Sequence, residues 1–289
     1  LGDYLVKGLA LGGKVRVYAI NSTQLVNHLQ ESHQTCATAS AALGRTATIG
    51  SMMGAMLKGE EKLTIQVKGN GPIGQIIVDA NSTGEVRGYV TNPVVNLPLN
   101  EKGKLDVAGA VGHGNIYVIK DLGLKEPYRG SVEIISGELA EDFTYYFLHS
   151  EQTPSAVAAG VLVNPDNSIK AAGGFIIQVM PGIVEDDLLL LEKSLEALPA
   201  VSSLIEQGLS PEQILKRLFN NEIQLLDKVA VTFKCTCSKE RVKNILVNLG
   251  KEDIEDMIAN EGKAEIACQF CRAKYTLNRR ELEEIAGKL

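Results

Sequence analysis

The chain has no tryptophan and only 5% aromatic residues over 289 positions, so its core must be built mainly from aliphatic side chains. It also lacks a positive excess: the formal net charge is −6, which argues against generic binding to a nucleic-acid backbone. No stretch approaches the ~18 consecutive apolar residues of a membrane-spanning helix, so no membrane partner is expected. A basic-then-apolar leader with a small-residue cleavage site is missing as well. There is no GxSxG, HExxH or P-loop, and no enzyme is expected. What remains, at 45% hydrophobic and 22% charged residues, is an ordinary globular composition with room for one large domain and a smaller one.

Cysteine is scarce and unevenly placed. Cys36 stands alone, and the other four lie near the C-terminal end as Cys235-Thr236-Cys237 and Cys268-Gln269-Phe270-Cys271. A CxxC knuckle puts two sulfurs on one turn, so two cysteine pairs supply a four-sulfur tetrahedral shell suited to one zinc ion per chain. None of His28, His33, His113 and His149 lies near the pairs in sequence, which leaves Cys235, Cys237, Cys268 and Cys271 as the expected ligands. A CxC pair still permits chelation, but a disulfide across one intervening residue closes a tight ring, and strained disulfides are labile and regulatory. Spacing therefore leaves two readings open, a permanent structural zinc ribbon and a redox-sensitive centre. Paired free thiols without a leader favour the reducing cytosol, hence a cytoplasmic protein.

Charge and pattern divide the chain into three expected parts. Residues 1–177 carry a net −2, residues 178–230 a net −5 and residues 231–289 a net +1. In the first part, Val15–Ile20, Lys62–Lys68, Gly74–Asp79, Val86–Thr91, Ile116–Lys120, Val132–Ile135, Ala156–Val163 and Gly174–Val179 read as strands. Ser22–Glu31, Thr35–Lys58 and Glu138–Ser150 read as helices. Sequential hairpins with a few helices predict an α+β domain with a largely antiparallel sheet. The second part reads as a helical linker. Ile183–Leu198 holds four consecutive leucines, Leu188–Leu191, and Ser210-Pro211-Glu212-Gln213 is a helix start with a capping serine. Ile214, Leu215, Leu218 and Phe219 then fall on one face, an apolar stripe that should dock on the first domain. The third part is a small zinc-binding module, with helix starts expected at Ser238 and Asn278 and a fold that should depend on its metal.

Other motifs have simpler readings. Gly69-Asn70-Gly71-Pro72-Ile73-Gly74 matches GxGxxG, but Pro72 and the following β-rich residues make it a hairpin turn, with no helix N-terminus to receive a pyrophosphate. His33 and Cys36 could be a base and nucleophile, yet the Ala/Thr-rich surroundings favour a packed structural cysteine. His113 sits between glycines with no carboxylate partner in view. The cations around the cysteine pairs (Lys234, Lys239, Arg241, Lys243, Arg272 and Lys274) are matched by acids, a solvated mixed surface. A constitutive zinc-ribbon adaptor for RNA or a ribosomal partner, and a thiol oxidoreductase using Cys268 and Cys271, are the competing functional readings.

Phe233-Lys-Cys235-Thr-Cys237-Ser-Lys-Glu-Arg241, Leu249-Gly250 and Ile266-Ala-Cys268-Gln-Phe-Cys271-Arg-Ala-Lys-Tyr275 closely resemble the redox-regulated bacterial heat-shock chaperone family of about thirty-three kilodaltons. The resemblance extends over nearly the whole chain, including Asp3–Lys7, Gly44-Arg45 and Gly112-His113-Gly114. It implies a holdase, which binds unfolding client proteins without hydrolysing nucleotide and is largely inactive while reduced and zinc-bound. Oxidation by peroxide or hypochlorous acid, with heat, would form Cys235–Cys237 and Cys268–Cys271 disulfides, release zinc and unmask client-binding surface. The resemblance further implies a homodimer in the activated state.

Overall fold

The computed structural model describes residues 2–289, which fall into two compact units, residues 2–234 and residues 235–289. The first unit opens with strands β1 (Tyr4–Ala10) and β2 (Val15–Asn21), helices α1 (Thr23–His33) and α2 (Ala37–Gly54), and strands β3 (Lys62–Gly69), β4 (Gln75–Asn81) and β5 (Glu85–Val90). It continues through α3 (Val107–Val111), β6 (Gly114–Asp121), β7 (Tyr128–Glu133), α4 (Ala140–His149), β8 (Ser155–Val163) and β9 (Ile169–Val179). Helices α5 (Glu185–Glu196), α6 (Val201–Glu206) and α7 (Pro211–Leu218) follow, then β10 (Ile223–Ala230) and the short β11 (Thr232–Phe233).

Two sheets result, a five-stranded one ordered β10-β1-β2-β9-β8 and a six-stranded one ordered β11-β5-β4-β3-β6-β7. All pairings in them are antiparallel except that of β11 with β5. The α+β architecture with largely antiparallel sheets expected from the hairpin pattern is the one observed. Burial explains the different strand patterns. The six-stranded sheet has one covered face, and β4 and β5 alternate buried with half-exposed residues. The five-stranded sheet is covered on both faces. Leu5, Tyr18, Ile20 and Ile176 join the core around α2, while Val6, Val15, Val17, Phe175 and Ile177 face the helices that follow β9.

Those later helices carry the apolar stripe read from the sequence. Ile214, Leu215, Leu218 and Phe219 are all buried against the five-stranded sheet, together with Leu191, Val201 and Leu204. Ser210 accepts from the Gln213 amide and Gln213 bonds back to the Ser210 amide, a reciprocal cap with Pro211 in the first turn. The four leucines of α5 divide: Leu191 is buried, while Leu189 and Leu190 are 47% and 63% exposed. A single helical face cannot hide four consecutive side chains, so half of that run was never concealed.

Three local readings need correction. Residues 223–230, taken as part of a helical linker, form strand β10 paired with β1. Asn220 and Asn221 both adopt positive φ and stop α7, and Gly8 lets the new strand close: a Cβ there would lie 2.8 Å from the Gln224 carbonyl oxygen. The strand expected at Val132–Ile135 begins earlier, at Tyr128, and ends at Glu133. The amides of Ile135 and Ser136 instead donate to the buried Asp142 carboxylate, each at 2.8 Å, which takes them out of the ladder. Strand β1 lay outside the patterns recognised.

The GxGxxG segment is a turn between β3 and β4, as its context indicated. Its glycines serve close packing: a Cβ on Gly69 would lie 1.9 Å from the Val111 carbonyl oxygen, and one on Gly71 2.3 Å from that of Ala110.

The second unit consists of α8 (Lys239–Val247), α9 (Lys251–Asn260), the hairpin β12 (Lys263–Ala267) and β13 (Lys274–Asn278), and α10 (Arg279–Ala286). Its core is small: Val242, Leu246, Ile254, Ala264, Leu277, Leu282, Ile285 and Ala286.

The docked helices yield a direct test. Leu215 is fully buried beneath α7, so Leu215→Ala should lower the stability of the first unit by about 2–5 kcal/mol. Denaturant unfolding of the two proteins, compared at equal slope, measures it; a loss below about 0.5 kcal/mol would mean that the helix is not packed as described.

Candidate metal centre

Each cysteine pair has its own local support. Cys235 and Cys237 lie in the extended segment before α8, where Ser238 caps the helix by accepting from the Arg241 amide. The Arg241 guanidinium reaches back to the Thr236 carbonyl at 3.0 Å and to its hydroxyl at 2.7 Å, bracing the residue between the two thiols. Cys268 and Cys271 occupy the turn of the β12–β13 hairpin. There the Cys268 amide donates to the Ala273 carbonyl and the Arg272 amide to the Cys268 carbonyl. Arg272 has φ 61°, the left-handed conformation that lets the knuckle turn so tightly.

The fold brings the two pairs together. All four sulfurs lie within 4.8 Å of one another, and all four cysteines are reduced and half-buried. Across the pairs, Cys235 Sγ is 3.7 Å from Cys268 Sγ, and Cys237 Sγ is 3.3 Å from Cys271 Sγ. Tetrahedral zinc with Zn–S bonds of about 2.3 Å places its sulfurs about 3.8 Å apart. The cluster therefore fits such an ion in donor number, donor type and spacing, and it is equally compatible with disulfide formation.

The electrostatics of the thiols are divided. Burial pushes the Cys235 and Cys271 thiols up, Cys271 to about 12, and neighbouring sulfurs add to the effect. Burial also acts on Cys237, but hydrogen bonds from Tyr275 and then from the other three cysteines outweigh it and bring this thiol down to about 7. Cys237 ionises readily while Cys235 and Cys271 hold their protons. A cation is what allows all four to be thiolates at once.

Two features were not legible in the spacing. The Tyr275 hydroxyl, on β13, donates to Cys237 Sγ at 3.0 Å. Glu281 receives Lys239 at 2.8 Å and Lys243 at 2.9 Å, tying α8 to α10, and these lysines hold its carboxyl down to about 2. The balanced charge counted in this segment is thus partly an organised clamp. Of the residues considered elsewhere, Cys36 is half-buried at the N-terminal boundary of α2, His33 is buried at the end of α1, and His113 is exposed. No helix among the described residues is long and apolar enough to cross a membrane.

An antiparallel α+β unit followed by a small four-cysteine unit is the architecture of a known class of chaperone. The chain belongs to the Hsp33 protein family, whose model matches residues 3–278. It is 56% identical over 287 residues to a 33 kDa chaperonin of Geobacillus kaustophilus (strain HTA426), covering 99% of this chain and 98% of that one. A 33 kDa chaperonin of Bacillus subtilis (strain 168) is 54% identical over 282 residues, 97% of each chain. The crystal structure of the 33 kDa chaperonin (heat shock protein 33 homolog) from Thermotoga maritima superposes with a TM-score of 0.94. It is 38% identical and covers 100% of this chain and 99% of that one. The relatives' names describe a non-enzymatic role, and membership of a chaperone family implies binding to unfolded proteins.

The thiol energetics set the sign of a pH effect. Cys271 and Cys235 keep their protons through neutral pH in the absence of metal, so a metal held by these sulfurs would have to expel them, and its affinity would fall as pH falls. Calorimetry of zinc binding in buffers of different ionisation enthalpy should register this proton release. Uptake that leaves the buffer signal unchanged would contradict it.

Proposed function

We propose that this chain is a redox-controlled holdase, with Cys235, Cys237, Cys268 and Cys271 holding one zinc ion in the reduced, resting protein. The observation that carries the reading is the confinement of four reduced sulfurs within 4.8 Å in a small separate unit of a chaperone-family chain. Bound there, the ion would supply the positive charge that keeps four thiolates together. On oxidation, Cys235 with Cys237 and Cys268 with Cys271 each give up two electrons as a sulfur–sulfur bond forms. Each electron pair reduces one hydrogen peroxide, which departs as two hydroxide ions. The four cysteines, once paired as disulfides, would no longer offer thiolates to hold a metal.

Loss of the metal has a structural consequence under this reading. The second unit has only a small apolar core, and structural zinc contributes on the order of 10–16 kcal/mol in small domains. Without it the unit melts, and the segment 178–230 that precedes it loosens from residues 1–177. Leu191, Leu215, Leu218 and Phe219, buried against the five-stranded sheet, then join the already exposed Leu189 and Leu190 as surface for unfolding clients. The active form is a homodimer in the cytoplasm and turns over no substrate.

The test follows zinc with a colourimetric chelator while peroxide is added at raised temperature, with light scattering of an unfolding client read in parallel. Zinc should leave as scattering is suppressed, and a reductant should reverse the thiol oxidation. Cys235→Ala with Cys268→Ala should abolish oxidant control; normal switching in that double variant would refute the proposal. Zinc that leaves with no gain in client protection would make the cluster purely structural.

A further inference from the structure

We propose that Tyr275 is a positioning residue of the thiolate centre, whose hydroxyl hydrogen bond to Cys237 strengthens metal retention and slows attack of oxidant on that sulfur. The inference rests on the metal-binding reading above and adds a residue to it.

The geometry is specific. Tyr275 lies opposite Ile266 in the β12–β13 ladder, and Ala267 lies opposite Lys274, so the hairpin that carries Cys268 and Cys271 also fixes where this tyrosine stands. Its ring packs against the small core of the unit. Its hydroxyl does not turn to the pair on its own hairpin. It crosses to the other pair and donates to Cys237 Sγ at 3.0 Å. Cys235 and Cys271 receive backbone amides, from Cys237 and Ala273 respectively. The donor to Cys237 is a side chain, and so it can be removed by substitution.

The chemistry follows from charge. One dipositive ion and four thiolates carry a net charge of two negative units, and each donor aimed at a sulfur disperses part of it. A hydrogen bond aimed at this sulfur fixes its orientation and disperses its charge, which favours the metal-bound site. The same bond withdraws electron density from the sulfur lone pairs, which makes the sulfur a poorer nucleophile towards peroxide. Removing it should therefore weaken retention and quicken oxidation together. A tyrosine that served only to fill space would move neither once the ring is kept.

The experiment uses the full chain, reduced and loaded with cobalt(II) in place of zinc, with Tyr275→Phe as the variant. In the variant, the thiolate-to-cobalt charge-transfer absorption should move to longer wavelength as Cys237 regains donor strength. Zinc affinity, measured by competition with a chelator, should fall by about 10–100-fold. Peroxide should release zinc faster from fully loaded variant than from fully loaded parent. Should the Phe variant load too weakly for a spectrum, a monofluorotyrosine at position 275, a stronger donor of the same shape, should shift the absorption to shorter wavelength. Unchanged absorption and affinity in the variant, beside a normally loaded parent, would overturn the role of Tyr275. A parent chain that takes up neither cobalt nor zinc would overturn the metal reading instead.

Discussion

Four sulfurs held within 4.8 Å of one another cannot all be ionised without a cation between them. Burial keeps Cys271 protonated up to about 12, while Tyr275 and the neighbouring cysteines draw Cys237 down to about 7. Without a cation the cluster is electrostatically divided, with Cys237 the sulfur drawn towards ionisation and Cys235 and Cys271 held protonated. The local structure serves that juxtaposition. A capped helix start and the Arg241 brace hold one pair, a hairpin turn with a left-handed Arg272 holds the other, and the Glu281 clamp joins the helices that flank them.

The first unit answers a different constraint. Its five-stranded sheet has two apolar faces, and each must be covered. Helix α2, almost wholly buried, covers one; the helices after β9 cover the other. That second cover is a late segment of the chain that carries a net charge of −5 and ends its helices at two asparagines of positive φ. It buries Ile214, Leu215, Leu218 and Phe219 but leaves Leu189 and Leu190 in solvent. Such a cover hides a large apolar area while keeping an acidic, partly greasy outer face, which suits a segment whose release would expose more of the same.

Much of this was readable in advance, and the exceptions have physical causes. Strands with one covered face announced themselves by alternation, and α7 by its serine cap and proline. The four cysteines were legible because thiols are rare in the chain and their spacing is constrained by ligand geometry. Strand β10 was missed because Leu225 and Leu226 sit side by side at a register shift, which breaks the period of two. Pairing with β1, more than two hundred positions away in the chain, decided its conformation, and no local pattern records that. Tyr275 and Glu281 were missed as parts of the centre for the same reason. Their roles depend on which sulfur and which lysines the hairpin and helices bring near, and sequence spacing does not encode that distance.

The magnitudes explain why stability and trigger can reside in the same atoms. A unit of this size draws no more than about 3–5 kcal/mol from its apolar core, whereas a structural zinc ion contributes on the order of 10–16 kcal/mol. On the proposed reading, metal binding would therefore outweigh everything else that keeps the small unit folded. Under the proposed mechanism an oxidant need not attack the core or the clamp at Glu281; converting one pair of ligands to a disulfide already removes more stabilisation than the remainder can replace. Residues 1–177 have no such dependence, because they share a core drawn from dozens of buried side chains. Under that mechanism melting would be confined to the second unit and loosening to the segment before it, while residues 1–177 would keep the shape that presents a surface.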